Sequence, residues 1–141
     1  MFPLIRPIFV CAFMVLFNAA CFAANVLIPE NNPLDGSQFH GLTGELGKGD
    51  HHKDTITFKN GQFRSLDCED LGFEPAPYSV KKIGDSYHFT STLLSTNRGK
   101  LEWEGTILGD NAEAKFRWLH KRWYWNIDRQ YWFRGKREPG L

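Results

Sequence analysis

Hydrophobic and polar residues alternate along most of the chain from about residue 37 onward. In one such segment Leu101, Trp103 and Ile107 fall on one face, while Glu102 and Glu104 fall on the other. A period of two is typical of a β-strand that has one face on a core and the other in water. The pattern predicts roughly eight strands, at about residues 38–44, 54–59, 62–66, 78–83, 86–94, 100–108, 112–119 and 129–135. A further short piece over Trp123–Ile127 is left open, and Leu66–Leu71 alone has the pattern of a short helical turn.

Short turn sequences separate the predicted strands. Asn60-Gly61, the strongest short hairpin signal, lies between Phe58 and Phe63. Further turns rich in glycine, asparagine and aspartate stand at residues 84–85, 97–99 and 109–111. Tight turns between consecutive strands favour an antiparallel up-and-down meander, and a meander of about eight strands closes into a barrel without free edges. We therefore predict a single all-β barrel domain over residues 37–137, whose interior is either filled by side chains or wide enough for one small ligand.

The first 23 residues differ from the rest of the chain. One cation, Arg6, precedes an apolar run at residues 7–17 and a stretch of small residues that ends at Ala24. This order predicts a secretory signal peptide over residues 1–23, cleaved after Ala23. The apolar run is too short for a membrane-spanning helix, which needs about 20 residues. We therefore expect an exported, periplasmic or secreted protein without a transmembrane segment in the mature chain, with an irregular lead-in at 24–36 and a tail at 138–141.

Lipidation is an alternative at the same place. Asn18-Ala19-Ala20-Cys21 resembles a bacterial lipobox, in which the cysteine receives a lipid and becomes the mature N-terminus. Lipoboxes usually have an aliphatic residue three positions before the cysteine, where this chain has Asn18. The cleaved signal peptide is therefore the preferred interpretation, and a lipoprotein anchored through Cys21 is the alternative.

The composition is that of one folded domain. The chain has 141 residues, of which 42% are hydrophobic and 15% aromatic, with 17 Lys and Arg against 16 Asp and Glu. These values exclude general disorder and a strongly charged nucleic-acid tail. Cys68 is the one cysteine that remains after cleavage, so the core must hold the fold without an internal disulfide.

Glycine, aromatic and turn residues form a pattern through residues 54–135. They are Ile56, Phe58, Gly61, Phe63, Ser65, Cys68, Gly72, Phe73, Tyr78, Gly84, Asp85, Phe89, Gly99, Leu101, Trp103, Gly105, Gly109, Asp110, Trp118, Tyr131, Phe133 and Gly135. In this pattern the chain resembles small secreted bacterial lipocalin-like (calycin-type) β-barrel proteins. The resemblance implies a barrel fold and identifies no activity.

The alternation directs a set of aromatic side chains into the predicted barrel. They are Phe58, Phe63, Tyr78, Phe89, Trp103, Phe116 and Trp118. An eight-stranded barrel lined by such residues is wide enough to hold one small apolar or amphipathic molecule. A non-catalytic binding protein for such a ligand in the cell envelope is therefore our first functional hypothesis.

No sequence motif indicates catalysis. The chain has no serine nucleophile elbow, no glycine-rich phosphate loop and no His-Glu-x-x-His zinc helix. His51 and His52 lie in a polar, glycine-containing stretch, and adjacent strand residues point to opposite sides. We expect solvated loop histidines there, and we assign no catalytic residue, metal ligand or cofactor.

Cys68 is flanked by acids, because Asp67, Glu69 and Asp70 are its neighbours. Nearby negative charge disfavours a thiolate, whereas unpaired cysteines are commonly buried. We expect a packing role, and an enzyme or redox protein that uses Cys68 is kept as the third hypothesis.

Positive charge is concentrated near the C-terminus. Residues 115–137 contain eight Lys and Arg and one acid, whereas residues 25–114 contain eight Lys and Arg and fourteen acids. Aromatic residues interleave with the cations, which suits an anionic membrane surface or single-stranded nucleic acid. Because export removes the chain from most nucleic acid, we expect none as a partner.

The second hypothesis is therefore an interaction or structural protein that contacts an anionic envelope surface through Arg122, Arg129, Trp132 and Arg134. The alternative is that these cations only form the outer faces of two closing strands, which pack against the acidic remainder of the barrel.

Overall fold

Residues 32–139 are described by a computed structural model, in which they form a closed barrel of eight antiparallel strands and one short helix. The strands are β1 (Ser37–Glu45), β2 (His52–Lys59), β3 (Gln62–Ser65), β4 (Ala76–Ile83), β5 (Ser86–Ser95), β6 (Gly99–Leu108), β7 (Asn111–Lys121) and β8 (Asn126–Arg137), and the helix α1 (Leu66–Asp70) follows β3. Each strand pairs with the next along the chain, and β8 pairs with β1. The predicted all-β up-and-down barrel is confirmed. The predicted signal peptide, the Cys21 alternative and the start of the lead-in lie outside the described residues.

The strand boundaries differ from the sequence predictions by at most about three residues, and the largest difference is at the β7–β8 loop. β7 and β8 are longer than the predicted segments 112–119 and 129–135, because their ladder continues to the pair Lys121–Asn126. Of the open piece Trp123–Ile127, Asn126 and Ile127 begin β8, whereas Trp123–Trp125 lie in the loop between the two strands. These loop residues form no further strand, since the chain reverses direction over them.

The barrel closes where β1 meets β8, at a point of very close backbone approach. Gly41 lies opposite Gly135 in this pairing. A side chain at Gly41 would overlap the backbone of Arg134. Glycine is therefore required for the closure that removes free strand edges.

Alternate residues of each strand point inward and fill the barrel. Phe58, Phe63 and Phe133 have no exposed surface, and Trp103 is 2% exposed. Burying a large apolar side chain contributes about 1.5–3 kcal/mol relative to leaving it in water. The fold therefore depends on its packed interior, since Cys68 is a free thiol.

The two ends of the barrel differ, and we call them the base and the mouth. At the base, Leu34 packs into the core, and the Asp35 carboxylate accepts hydrogen bonds from the Gly61 N–H (2.9 Å) and the Tyr78 hydroxyl (3.0 Å). The β2–β3 turn at this end has a positive φ at both Asn60 (53°) and Gly61 (74°), as a type I′ hairpin requires. The mouth is formed by α1 and by the loops β1–β2, β5–β6 and β7–β8.

The helix α1 begins at a buried polar cluster beside the mouth. Ser65 is its N-cap, and the Ser65 hydroxyl accepts from the Cys68 N–H (3.2 Å) and donates to Asp54 Oδ2 (2.7 Å). Asp54 Oδ1 accepts from the N–H groups of Asp67 (3.0 Å) and Thr55 (2.7 Å). The cap satisfies backbone donors that a short helix leaves unpaired, and the helix agrees with the turn predicted over Leu66–Leu71.

Candidate functional site

The seven aromatic residues predicted to line the interior are brought together there. Phe58 and Phe89 have ring centroids 4.8 Å apart, Phe63 and Trp103 are 5.0 Å apart, and Trp103 stacks on Phe116 at 4.0 Å. The remaining two, Tyr78 and Trp118, are partly buried and pack against this core. Neighbouring rings are in direct contact, so a ligand between them would have to displace a side chain.

The polar atoms of these aromatic residues differ in whether they find a hydrogen-bond partner. The Tyr78 hydroxyl donates to Asp35, and burial together with this partner raises the pKa of Tyr78. Trp118 Nε1 donates to the Arg98 carbonyl at 2.6 Å. Trp103 Nε1 is buried and has no acceptor among the described residues. An unpaired buried N–H is uncommon and costs about 1–3 kcal/mol, so the Trp103 indole would gain from a further acceptor. His120 Nδ1 is the other buried side-chain nitrogen without a partner among residues 32–139.

The β7–β8 loop at the mouth presents aromatic side chains to solvent. Trp123 is 95% exposed, Tyr124 54% and Trp125 47%. The rings contact one another edge to face, with 5.0 Å between the centroids of Trp123 and Tyr124. Arg122 lies over the Trp125 ring, 5.6 Å from its centroid, and its Nη1 donates to the Tyr124 hydroxyl at 3.0 Å. We call residues Arg122–Trp125 the aromatic loop.

Exposed apolar side chains are concentrated at the mouth. Of the ten large ones in residues 32–139, seven belong to the mouth: Leu46, Leu66, Leu71, Leu94, Trp123, Tyr124 and Trp125. Ile83 and Leu108 lie at the base, and Leu42 lies on the wall. A cluster of this kind is typical of a surface that contacts a partner or a membrane.

The residues predicted to contact an anionic surface do not form one patch. Arg122 is in the aromatic loop at the mouth. Arg129 pairs in register with Trp118, which points inward, so Arg129 belongs to the inner face of β8 near the mouth. Trp132 and Arg134 lie together on the outer wall, with the guanidinium 5.6 Å from the indole centroid. Trp123–Trp125 were not among the predicted contact residues, although their break in the alternation between two regular strands was a usable signal.

One of the C-terminal cations is already paired on the outer wall. Arg117 Nη2 lies 2.6 Å from Asp128 Oδ2, and Arg117 Nε donates to Asp128 Oδ1 at 2.7 Å. The hydrogen bonds from Arg117 hold the pKa of Asp128 below its usual range. Both side chains are solvated, so the pair adds little to stability, and it removes Arg117 from the cations available at the mouth.

The remaining candidate residues are Cys68, His51 and His52. Cys68 is 3% exposed, and burial raises the pKa of its thiol to about 12, which disfavours the thiolate that a nucleophile needs. His52 Nε2 lies 2.7 Å from Asp67 Oδ2, and His51 is exposed in the β1–β2 loop. Within residues 32–139, no three His, Cys, Asp or Glu side chains are placed to hold a metal ion.

Three concave regions lie on the outer wall of the barrel. Their volumes are about 670, 350 and 320 Å³. The first two share Thr90, Glu104 and Lys115, and the second and third share Glu113 and Arg134. Together they form a continuous, largely polar groove across β5–β8, which is bordered by Pro77 and Ser79 of β4 at one end and by His40 and Gly41 of β1 at the other.

None of the helical residues in the described part of the chain forms a segment long and apolar enough to cross a membrane. Comparison of the chain with models of protein families, with curated proteins and with solved structures finds no match.

Proposed function

We propose that the protein is an exported, non-catalytic binding protein of the cell envelope that docks on anionic lipid surfaces through its mouth. The observation that carries this proposal is the aromatic loop, in which Trp123 is 95% exposed and is followed by the exposed Tyr124 and Trp125. Indole and phenol rings have an apolar body and a polar tip, and they therefore favour the headgroup level of a bilayer. A soluble protein gains nothing from leaving three such rings in water.

The charges around the loop support an anionic partner. Lys121 and Arg122 adjoin the aromatic rings, and Arg98 lies at the neighbouring β5–β6 turn. Each Lys or Arg near an anionic bilayer contributes about 1 kcal/mol of attraction. Most acids of the mouth lie elsewhere, at the β1–β2 loop and on and just after α1: Glu45, Asp50, Asp67, Glu69, Asp70 and Glu74. Asp128, beside the aromatic loop, is paired with Arg117. The barrel would therefore tilt so that the β5–β8 side of the mouth faces the lipid.

The apolar residues of the mouth favour lipid over a soluble anionic polymer. Leu94 is 61% exposed and lies near the β5–β6 turn, and Leu46 is 52% exposed in the β1–β2 loop. A bilayer offers these side chains an apolar phase, whereas a polyanion in water offers only charge. The mouth therefore combines both interactions that peripheral membrane binding uses.

We also infer that the chain is a lipocalin-like barrel of the small secreted bacterial type. The support is the resemblance of residues 54–135 to that group, together with the up-and-down strand order and the base closed by Leu34. Export is supported by the signal-peptide pattern of residues 1–23.

Co-sedimentation with lipid vesicles tests the docking proposal. The mature chain is mixed at low salt with vesicles of phosphatidylcholine alone or with an equal part of phosphatidylglycerol. We expect binding to the anionic vesicles that weakens as salt is added. The double substitution Trp123→Ser/Trp125→Ser should weaken it at least about tenfold.

The matched control places the same change at the other end of the barrel. Ile83 and Leu108 are exposed to 53% and 54% at the base, so Ile83→Ser/Leu108→Ser removes comparable exposed apolar groups. The control should bind like the wild type. Absence of wild-type binding to anionic vesicles at low salt, or equal losses in the two variants, would overturn the proposal.

A second candidate function is retention of a small apolar ligand inside the barrel. One observation favours it: the buried Trp103 Nε1, which lacks an acceptor among residues 32–139. A ligand oxygen beside this indole would satisfy the donor, and the ligand would have to part rings that now touch. Native mass spectrometry of protein purified from its producing cells tests this candidate. A co-purified molecule that is lost on unfolding would support it, and the bare polypeptide mass would contradict it.

A further inference from the structure

We infer that the outer wall of β5–β8 is a second binding site, and that its ligand is an extended, neutral polyhydroxylated chain, namely an oligosaccharide. The site is the continuous groove described above, whose largest part has a volume of about 670 Å³. Ligand sites in proteins commonly have volumes of about 300–1,000 Å³. The wall between Arg117 and Asn111 of β7 spans six strand residues, or about 20 Å at the usual rise, which suits a linear chain of several sugar rings.

The groove holds charged groups of both signs that leave hydrogen-bonding capacity free. Glu104 is opposite Lys115, and Glu113 is opposite Arg134. The ion pairs of residues 32–139 include neither of these pairs. Carboxylates that accept and cations that donate at this spacing match the vicinal hydroxyls of a sugar, each of which both donates and accepts.

The charges of the groove cancel over its two larger parts, and the third part adds only Lys136. Its two larger parts are lined by three acids and three cations: Glu102, Glu104, Glu113, Lys115, Arg117 and Arg134. Neutral hydrogen-bonding side chains lie between them, among them Thr90, Thr92 and Gln130. A wall without net charge has no long-range attraction for a polyanion, so the groove favours an uncharged ligand, unlike the mouth.

Trp132 gives the groove an aromatic flank. Its indole packs against Gly44, where a side chain at position 44 would lie 3.2 Å from the ring, and it lines the second part of the groove. The Arg134 guanidinium lies 5.6 Å from the centroid of the same ring. A fixed indole suits the apolar C–H face of a pyranose, while the polar groups beside it bind the hydroxyls.

The barrel topology favours a glycan over an extended peptide. Peptides that bind to sheets usually add a strand to a free edge. The strands β6, β7 and β8, which form the centre of the groove, each pair with a neighbour on both sides and offer no such edge. Recognition on this wall therefore depends on outward side chains alone, which is how polyhydroxylated ligands are bound.

An NMR titration tests the inference. Amide resonances of the ¹⁵N-labelled mature chain are followed while cellohexaose, chitohexaose or maltohexaose is added. We expect shifts confined to the residues that line the groove, on β5–β8 and at its borders on β4 and β1, with at least one of these three probes. Glu104→Ala/Lys115→Ala should weaken that binding about tenfold or more, because it removes one acceptor and one donor that both larger parts of the groove share.

A matched control and a vesicle assay separate this site from the mouth. Lys53→Ala/Lys59→Ala removes two exposed charges from β2, on another part of the wall, and should bind the probe as the wild type does. Glu104→Ala/Lys115→Ala should sediment with anionic vesicles like the wild type. Absence of shifts with all three probes at about 10 mM, a concentration about tenfold above the Kd of a millimolar site, would overturn the inference. So would shifts mainly at residues that do not line the groove, unchanged affinity in Glu104→Ala/Lys115→Ala, or tighter binding of an anionic alginate hexamer.

Discussion

The guanidinium of Arg122 lies 5.6 Å from the centroid of the Trp125 ring and also donates to the Tyr124 hydroxyl at 3.0 Å. One cation therefore holds two rings of the aromatic loop, while Trp123 extends beyond them. A cation–π contact at an exposed site contributes about 0.5–1 kcal/mol. On an anionic surface the same guanidinium would lie beside lipid phosphates, so the residue that orders the loop would also bind the membrane.

The first prediction concerns this dual role of Arg122. Arg122→Ala should weaken binding to anionic vesicles about fivefold, the equivalent of about 1 kcal/mol for one cation. Arg122→Lys keeps the charge but loses the planar guanidinium, so its affinity for the vesicles should fall between those of the wild type and Arg122→Ala. Co-sedimentation at several salt concentrations measures both effects. Equal affinity and equal salt dependence in all three proteins would show that Arg122 takes no part.

The second prediction concerns the buried carboxylate at the start of α1. Desolvation raises the pKa of Asp54 above its usual value, despite the hydrogen bonds from Ser65 and two backbone N–H groups. Because the pKa of Asp54 is higher in the folded state than in the unfolded state, the contribution of this group to the free energy of unfolding is fully present below the unfolded-state pKa near 3.8. It is lost as the pH rises through the folded pKa.

Asp54→Asn keeps an oxygen acceptor and cannot ionise. Its free energy of unfolding relative to the wild type should therefore increase as the pH rises from about 4 to 7. Urea unfolding at a series of pH values measures this difference. A stability difference between Asp54→Asn and the wild type that does not change with pH would contradict this prediction. Ser65→Ala, which removes the N-cap of α1, should be less stable than the wild type by about 1 kcal/mol.

The third prediction concerns barrel closure. In Gly41→Ala the new methyl group would overlap the Arg134 backbone, which no side-chain rotation relieves, so we expect a loss of about 1–3 kcal/mol or more. Gly49→Ala is the control, since nothing lies within 4 Å of a side chain there, and its stability should change by less than about 0.5 kcal/mol. Thermal unfolding followed by circular dichroism compares the two. Equal stability of the variants would show that β1 and β8 do not approach closely.

The fourth prediction concerns Cys68. With its pKa raised to about 12 by burial, the thiol should react with a disulfide reagent at neutral pH far more slowly than free cysteine does. Urea should restore the ordinary rate. Fast reaction of the folded protein would instead support the redox hypothesis.

The strands were predictable because each depends on local information. Alternation fixes which residues of β6 face inward, and Asn60-Gly61 fixes the hairpin between β2 and β3. The short helix was predictable for the same reason. The hydrogen bond from its N-cap residue Ser65 to Asp54 was not, because that contact joins two separate strands. Leu34 was assigned to an irregular lead-in, and its burial follows only from the base that the closed barrel creates.

The candidate sites depended on relationships that no local pattern contains. Arg129 was assigned to an outer surface, but the β7–β8 register places it on the inner face, opposite Trp118. Leu46 and Leu94 are distant in sequence from Trp123, and the barrel alone brings them to one end. The groove on the outer wall arises from the shape of four long strands, which composition does not specify.

Quenching of tryptophan fluorescence by brominated lipids in anionic vesicles tests the central proposal most directly. The mature wild-type chain should be quenched, because Trp123 enters the depth of the bilayer where the bromine atoms lie. Trp123→Phe/Trp125→Phe should bind with similar affinity and lose most of that quenching, since Trp103 and Trp118 lie inside the barrel and Trp132 lies on the outer wall of β8. Absence of quenching in the wild type, or equal quenching in both proteins, would contradict docking through the aromatic loop.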